Sequence, residues 1–139
     1  MTRRSLADVA ITTAVTSVVS GAPSTVHAFA TGRGVLDAAR AAGTLLPGRD
    51  DRPGLIAGGV VHAVVSAFWG VVLGVLLPRR NTAAWGAAAG LGIAAISLPW
   101  AKRHRPAIAA LPQGPQWLDN VAFGFVMGWL LSRSNVEAS

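Results

Sequence analysis

The chain contains no cysteine. Disulfides, thiolate metal sites and cysteine nucleophiles are thereby excluded. Charge is also scarce. Asp, Glu, Lys and Arg make up 13% of the 139 residues, about half of the roughly 25% usual in soluble domains. Acidic groups are the scarcest, six against twelve basic ones. No Walker loop, H-E-x-x-H, C-x-x-C or G-x-S-x-G sequence occurs. The common nucleotide, zinc-hydrolase, redox and serine-hydrolase chemistries therefore lack their residues. No catalytic residue, metal ligand set or cofactor is expected.

Long apolar runs fill the space that charge leaves. Residues 54–77 read GLIAGGVVHAVVSAFWGVVLGVLL, without one formal charge. At about 1.5 Å per residue this run reaches roughly 36 Å, enough for a hydrocarbon core of about 30 Å. Three further runs cover residues 7–30, 82–100 and 115–132. The fold class predicted is all-α, an integral membrane bundle of four transmembrane helices in one domain. Gly21-Ala22-Pro23 predicts a kink or break in the first, because proline lacks an N–H and clashes with the preceding turn. The same run has an alternative reading as a secretory signal peptide, with Arg3-Arg4 and the small-x-small triplet Val26-His27-Ala28. Residues 35–46 are amphipathic but too short to span, and read as one interfacial helix between the first and second spans. Pro78-Arg79-Arg80-Asn81 is a tight turn that makes the second and third spans antiparallel neighbours.

The basic residues do not form the stripe expected of a nucleic-acid-binding surface. They stand in short runs at span ends: Arg3-Arg4, Arg79-Arg80 and Lys102-Arg103-His104-Arg105. That is the placement of residues held at lipid headgroups. Partners expected are the lipid bilayer and a second copy or another membrane protein, with no nucleic acid. The basic residues distribute almost evenly between the two sides, leaning slightly to cytoplasmic long connections. Arginine far outnumbers lysine, and Ala and Gly are abundant. This usage points toward a GC-rich bacterial source and a multi-pass protein of the plasma membrane.

Small or polar residues recur at every fourth place. The seams are Asp8, Thr12, Thr16, Ser20 and Ser24; Gly58, His62, Ser66, Gly70 and Gly74; Gly86, Gly90 and Ala94; and Asn120, Gly124, Gly128 and Ser132. Positions four apart stack on one helix face. In lipid, helices associate through such faces. Gly70, Gly74, Gly86, Gly90, Gly124 and Gly128 are therefore the expected packing positions.

Ionisable residues within the runs are few: His27, His62 and Asp119, with Asn120 beside the last. Such groups are costly in hydrocarbon and mark functional sites by default. Tracing the spans back and forth puts all of them in one half of the membrane, together with Ser24 and Ser66. The expectation is a polar half-cavity opening toward the long connections, with His62 inward on its glycine–serine seam. Two functional classes follow. One is a small transporter or channel-like protein. The other is a non-enzymatic accessory or assembly protein that packs through its glycine seams. Small multidrug transporters would require a glutamate in the first span, and fluoride channels an arginine-bearing glycine-rich segment within the membrane. Neither is present, and no family is assigned.

Overall fold

The computed structural model describes residues 5–137. Its elements are α1 (Leu6–Val19), α2 (Ala22–Ala30), α3 (Asp37–Ala42) running into a 3-10 turn (Gly43–Leu45), α4 (Leu55–Leu76), α5 (Thr82–His104), α6 (Pro106–Ala109) and α7 (Gln113–Glu137). No strand occurs among the described residues. Three helical stretches are long and apolar enough to cross a membrane: Leu6–Ala30, Leu55–Leu76 and Thr82–His104. The fourth helix, α7, is as long at 25 residues. Gln116, Asp119 and Asn120 in its first half, with Arg133 near its end, keep it outside that group.

Local chemistry sets the helix ends. Ser5 caps α1 by accepting from the Asp8 N–H at 3.0 Å, and Asp8 adds an acid to the first turn, both favourable at a helix N-terminus. The first span breaks at Ser20–Gly21. Pro23 then falls in the opening turn of α2, where its missing N–H costs nothing. Asn81 adopts the left-handed conformation (φ 53°) in the turn before α5, a backbone region that asparagine tolerates.

Three boundaries differ from the sequence reading. The last helix, Gln113–Glu137, extends beyond the expected 115–132 at both ends. The third long helix continues past Trp100 to His104 with Pro99 inside it. The Ser97 hydroxyl bonds the Ile93 carbonyl at 2.7 Å one turn earlier. At the C-terminal end, His104 Nδ1 contacts the Trp100 carbonyl at 2.8 Å and its ring stacks on the indole. The interfacial segment is shorter than 35–46. It starts at Asp37, and its buried face is Ala41, Gly43 and Thr44, while Val35 and Leu36 stay exposed. Docking on α4 decides this. A Cβ at Gly58 would run into the Ala39 carbonyl, and one at Gly43 would meet the Gly54 carbonyl at 2.6 Å. These contacts need backbone against backbone, and so select the small residues over the large ones.

Hydroxyl groups share the interior with a small apolar core, and the surface is strongly apolar. Thr12, Thr16, Ser20, Ser66 and Thr82 are buried, while Ile56 (87%), Val18 (83%), Phe29 (82%) and Val75 (76%) are exposed. In water such a surface would drive aggregation. Against lipid it costs nothing, because leucine gains no burial energy by leaving hydrocarbon. The apolar core is correspondingly small: Leu73, Leu77, Ile93, Phe123, Met127 and Leu131, flanked by Val9, Trp69 and Ala89.

Glycines set the closest approaches. A Cβ at Gly86 would meet the Gly124 carbonyl, and one at Gly124 the Gly86 carbonyl. Gly90 stands against the Asn120 carbonyl, and Gly128 against that of Thr82. The α5–α7 contact is thus backbone on backbone over more than two turns. On α4, a Cβ at Gly70 would run into the Thr13 side chain and one at Gly74 would meet the Val9 side chain at 2.8 Å, so these glycines make the room that seats α1.

Two glycines differ: Gly59 and Gly92 have nothing within 4 Å of an added Cβ. Gly92→Ala and Gly59→Ala should hold or raise thermal stability in detergent, since helical Gly→Ala gains about 0.5–1 kcal/mol. Gly86→Ala and Gly124→Ala should lower it by about 1–3 kcal/mol through overpacking. Parallel melting curves check the ordering. Equal losses at all four positions would contradict the assigned α5–α7 contact.

Candidate functional site: a bridged break in the first span

A helix that breaks inside a membrane leaves backbone groups without partners on both sides of the gap. The carbonyl end of α1 and the N–H end of α2 meet here about 15 Å from the end of α2. Side chains from two other helices reach them.

The carbonyl end takes His62. Its Nε2 lies 2.8 Å from the Ser17 carbonyl oxygen. A carbonyl only accepts, so Nε2 carries the proton. The Ser20 hydroxyl also donates to Ser17 O, at 3.4 Å. Beside them, the Ser17 hydroxyl donates to the buried Ser66 hydroxyl at 3.1 Å. Thus α4 sends His62 and Ser66, one turn apart, onto the last turn of α1.

The N–H end takes Asp119. The Ser24 N–H donates to Asp119 Oδ1 at 2.9 Å, and the Ser24 hydroxyl donates to Oδ2. Gly21, the residue before α2, supplies no side-chain cap. A carboxylate from α7 does the work of a capping residue. Gln116, nearly one turn earlier on α7, donates to the Ser24 hydroxyl at 2.9 Å.

The two partners match the helix dipoles. The N-terminus of a helix carries about half a positive charge and the C-terminus about half a negative one. A carboxylate faces the first and a donating imidazole faces the second.

The site residues expected from sequence therefore divide. Ser24, Ser66, His62 and Asp119 are brought to the break. His62 corrects the inward placement: it is exposed at the bundle surface and leans sideways onto α1. Ser66 is the inward member of that seam. Asn120 turns to its own helix, its Nδ2 donating to the Gln116 carbonyl at 2.9 Å. His27 stands apart, half-buried, with Ser24 and Gln116 on a cavity of about 30 Å³. His62, Asp119 and Asn120 are not among the residues that line it. Sequence reasoning missed Gln116 and Ser17. Gln116 lies three residues before Asp119 on one face, a spacing that could have found it. Ser17 is used through its carbonyl, which no side-chain pattern announces.

The arrangement can hold two half-helices in register. Among the described residues no group of three or more His, Asp or Glu could hold a metal ion. No protein family, no characterised protein and no solved structure matches the chain. Its class is thus defined by the fold alone, an all-helical protein with three helices able to cross a membrane.

Asp119→Leu leaves the Ser24 N–H without an acceptor and should cost about 1–3 kcal/mol. Asp119→Asn keeps one acceptor and should cost less. His62→Leu should cost about 1 kcal/mol, as one modest bond is lost at the surface. Melting in detergent gives the order Asp119→Leu, then His62→Leu, then Asp119→Asn. A double Leu variant measures their coupling.

Proposed function

We propose that this chain is a four-span protein of the cell membrane that works as a non-enzymatic accessory or assembly component, packing against a copy of itself or another membrane protein. The observation that carries this reading is how the polar groups at the break are used. His62 and Asp119 bond α1 and α2, Asn120 bonds its own helix, and the adjoining cavity has about 30 Å³, room for about one water. A solute pathway needs polar groups that face an open space. These are taken up by the Ser17 carbonyl, by Ser24 and by the Gln116 carbonyl.

The fourth span in this proposal is α7. Its length, its packing along α5 through Gly124 and Gly128, and the aromatic–basic pair at its far end support it. Arg133 lies over the Trp129 ring at 4.2 Å, a pairing suited to the headgroup level. The chain lacks cysteine, so single-cysteine labelling reads topology cleanly. Ser134→Cys should label from the same side as Asn81→Cys, and Pro112→Cys from the side of Gly48→Cys. Labelling of Ser134→Cys with Pro112→Cys would remove the fourth span.

Transport is the second reading. A discontinuous helix with ionisable partners is the arrangement that transporters use for ions and small solutes, and this observation favours it. Proteoliposomes loaded with a pH-sensitive dye discriminate the two. The accessory reading expects proton flux no greater than in protein-free vesicles. Flux in the native protein that His62→Gln and Asp119→Asn both abolish would put transport in its place.

A further inference from the structure

We propose that the outer face of α4 at its N-terminal end binds one anionic phospholipid, with an acyl chain along Leu55, Ile56 and Val60 and the phosphate at Arg49. The inference rests on the membrane location of α4, and on no assignment of activity.

An open groove of about 630 Å³ runs along this end of α4, lined by Leu46, Leu55, Ile56, Ala57, Val60 and Arg49. Its size falls within the roughly 300–1,000 Å³ of small-molecule sites. Ile56 is 87% exposed, and Leu55 and Val60 about half as much. The walls are almost wholly apolar and cover the first turns of α4, from Gly54 to Val60. The headgroup-proximal part of an acyl chain fits that length, about 9 Å at 1.5 Å per residue.

The charge stands at the outer end. Arg49 contributes to the wall, and its Nη2 lies beside Gly54, the residue preceding α4. Among the described residues its guanidinium makes one hydrogen bond, from Nη2 to the Arg52 carbonyl at 3.2 Å, and its buried Nε has no partner. No carboxylate among the described residues pairs with this guanidinium. Asp50, the adjacent acid, is held by Arg105 at 2.8 Å. Asp51 and Arg52 in the same exposed turn offset each other in charge. The Gly54 cap supplies no side chain to the first N–H groups of α4, so the rim is positive from the backbone as well. An under-satisfied guanidinium is matched by a phosphate, which accepts two N–H bonds at once.

The occupant is thus a phosphate carrying an acyl chain. A neutral lipid would leave Arg49 as it is. A free phosphate would leave the groove unused.

The test uses the purified full chain in detergent, with dioleoylphosphatidylglycerol, dioleoylphosphatidylcholine or inorganic phosphate added. Phosphatidylglycerol should raise the melting temperature, and native mass spectrometry should retain one such lipid per chain. Arg49→Gln should cut retention by about threefold or more and remove the thermal shift. Val60→Trp, which fills the groove, should do the same. Arg103→Gln, an exposed arginine on another element, should change neither. Equal stabilisation by phosphatidylcholine, full stabilisation by inorganic phosphate, or unchanged retention in Arg49→Gln would each overturn the site. A dimer mass without lipid would assign the groove to a second copy and overturn it too. Alkaline carbonate washing separates the two failures. A chain that stays in the membrane pellet yet shows no lipid preference loses this site alone. A chain released by carbonate loses the membrane location.

Discussion

Every backbone N–H and C=O in a bilayer must find its partner within the protein, since hydrocarbon offers none. The first span breaks that condition at Ser20–Gly21, and much of the surrounding structure answers the breach. Asp119 supplies the acceptor that α2 lacks, and His62 the donor that the last turn of α1 can use. Each of the two long helices that reach the gap thus contributes two polar side chains, His62 and Ser66 from α4 and Asp119 and Gln116 from α7. The expensive residues of the apolar runs are placed where they offset a larger cost, the desolvated ends of two helices.

Two kinds of contact hold the bundle, and they divide between helix pairs. Between α5 and α7 almost nothing intervenes. Gly86, Gly90, Gly124 and Gly128 bring carbonyls against α-carbons, and dispersion over that flat contact does the work. Around α1 the contacts are made by side chains. Thr13 fills the notch at Gly70, Val9 the notch at Gly74, and the Thr13 and Thr16 hydroxyls reach the Met127 sulfur at 3.9 and 4.0 Å. α1 thus turns Thr12, Thr16 and Ser20 inward, while Leu6, Ile11 and Val18 stay exposed on its outer face.

Much of this was legible in the sequence. The periodic small residues gave the faces, Pro23 gave the break, and the rarity of ionisable groups singled out His62 and Asp119. The rest was hidden for physical reasons. A four-residue period fixes a face but not which neighbour it meets, nor how a long side chain leaves that face. His62 shares the seam of Gly58 and Ser66, yet the imidazole leans outward to a carbonyl of α1. Asn120 shares the seam of Gly124, but its amide is satisfied one turn back on the same helix, and only its backbone serves the interface. The apolar face expected of the interfacial segment combines large residues, Val35, Leu36 and Leu46, with small ones, Ala39, Ala42 and Gly43. Its docking is decided by Ala39 and Gly43, because the contact with Gly58 leaves no room for a side chain. Backbone-mediated contacts leave little trace in residue chemistry beyond the presence of glycine.

The glycine contact between α5 and α7 also governs how this molecule can move. Side-chain interfaces yield by rotamer exchange, so helices joined that way can slide or tilt by small steps. Two backbones in direct contact have no rotamers to exchange. Any relative shift of α5 and α7 would drive a carbonyl into an α-carbon or open a gap between them. The pair behaves as one stiff plate, to which α4 is attached through Leu73 and Leu77 in the apolar core and the broken first span mainly through threonines, serines and single hydrogen bonds. Mechanical compliance therefore concentrates at the junction of α1 with α2, where the chain is already cut and where His62, Ser66, Gln116 and Asp119 hold the halves together.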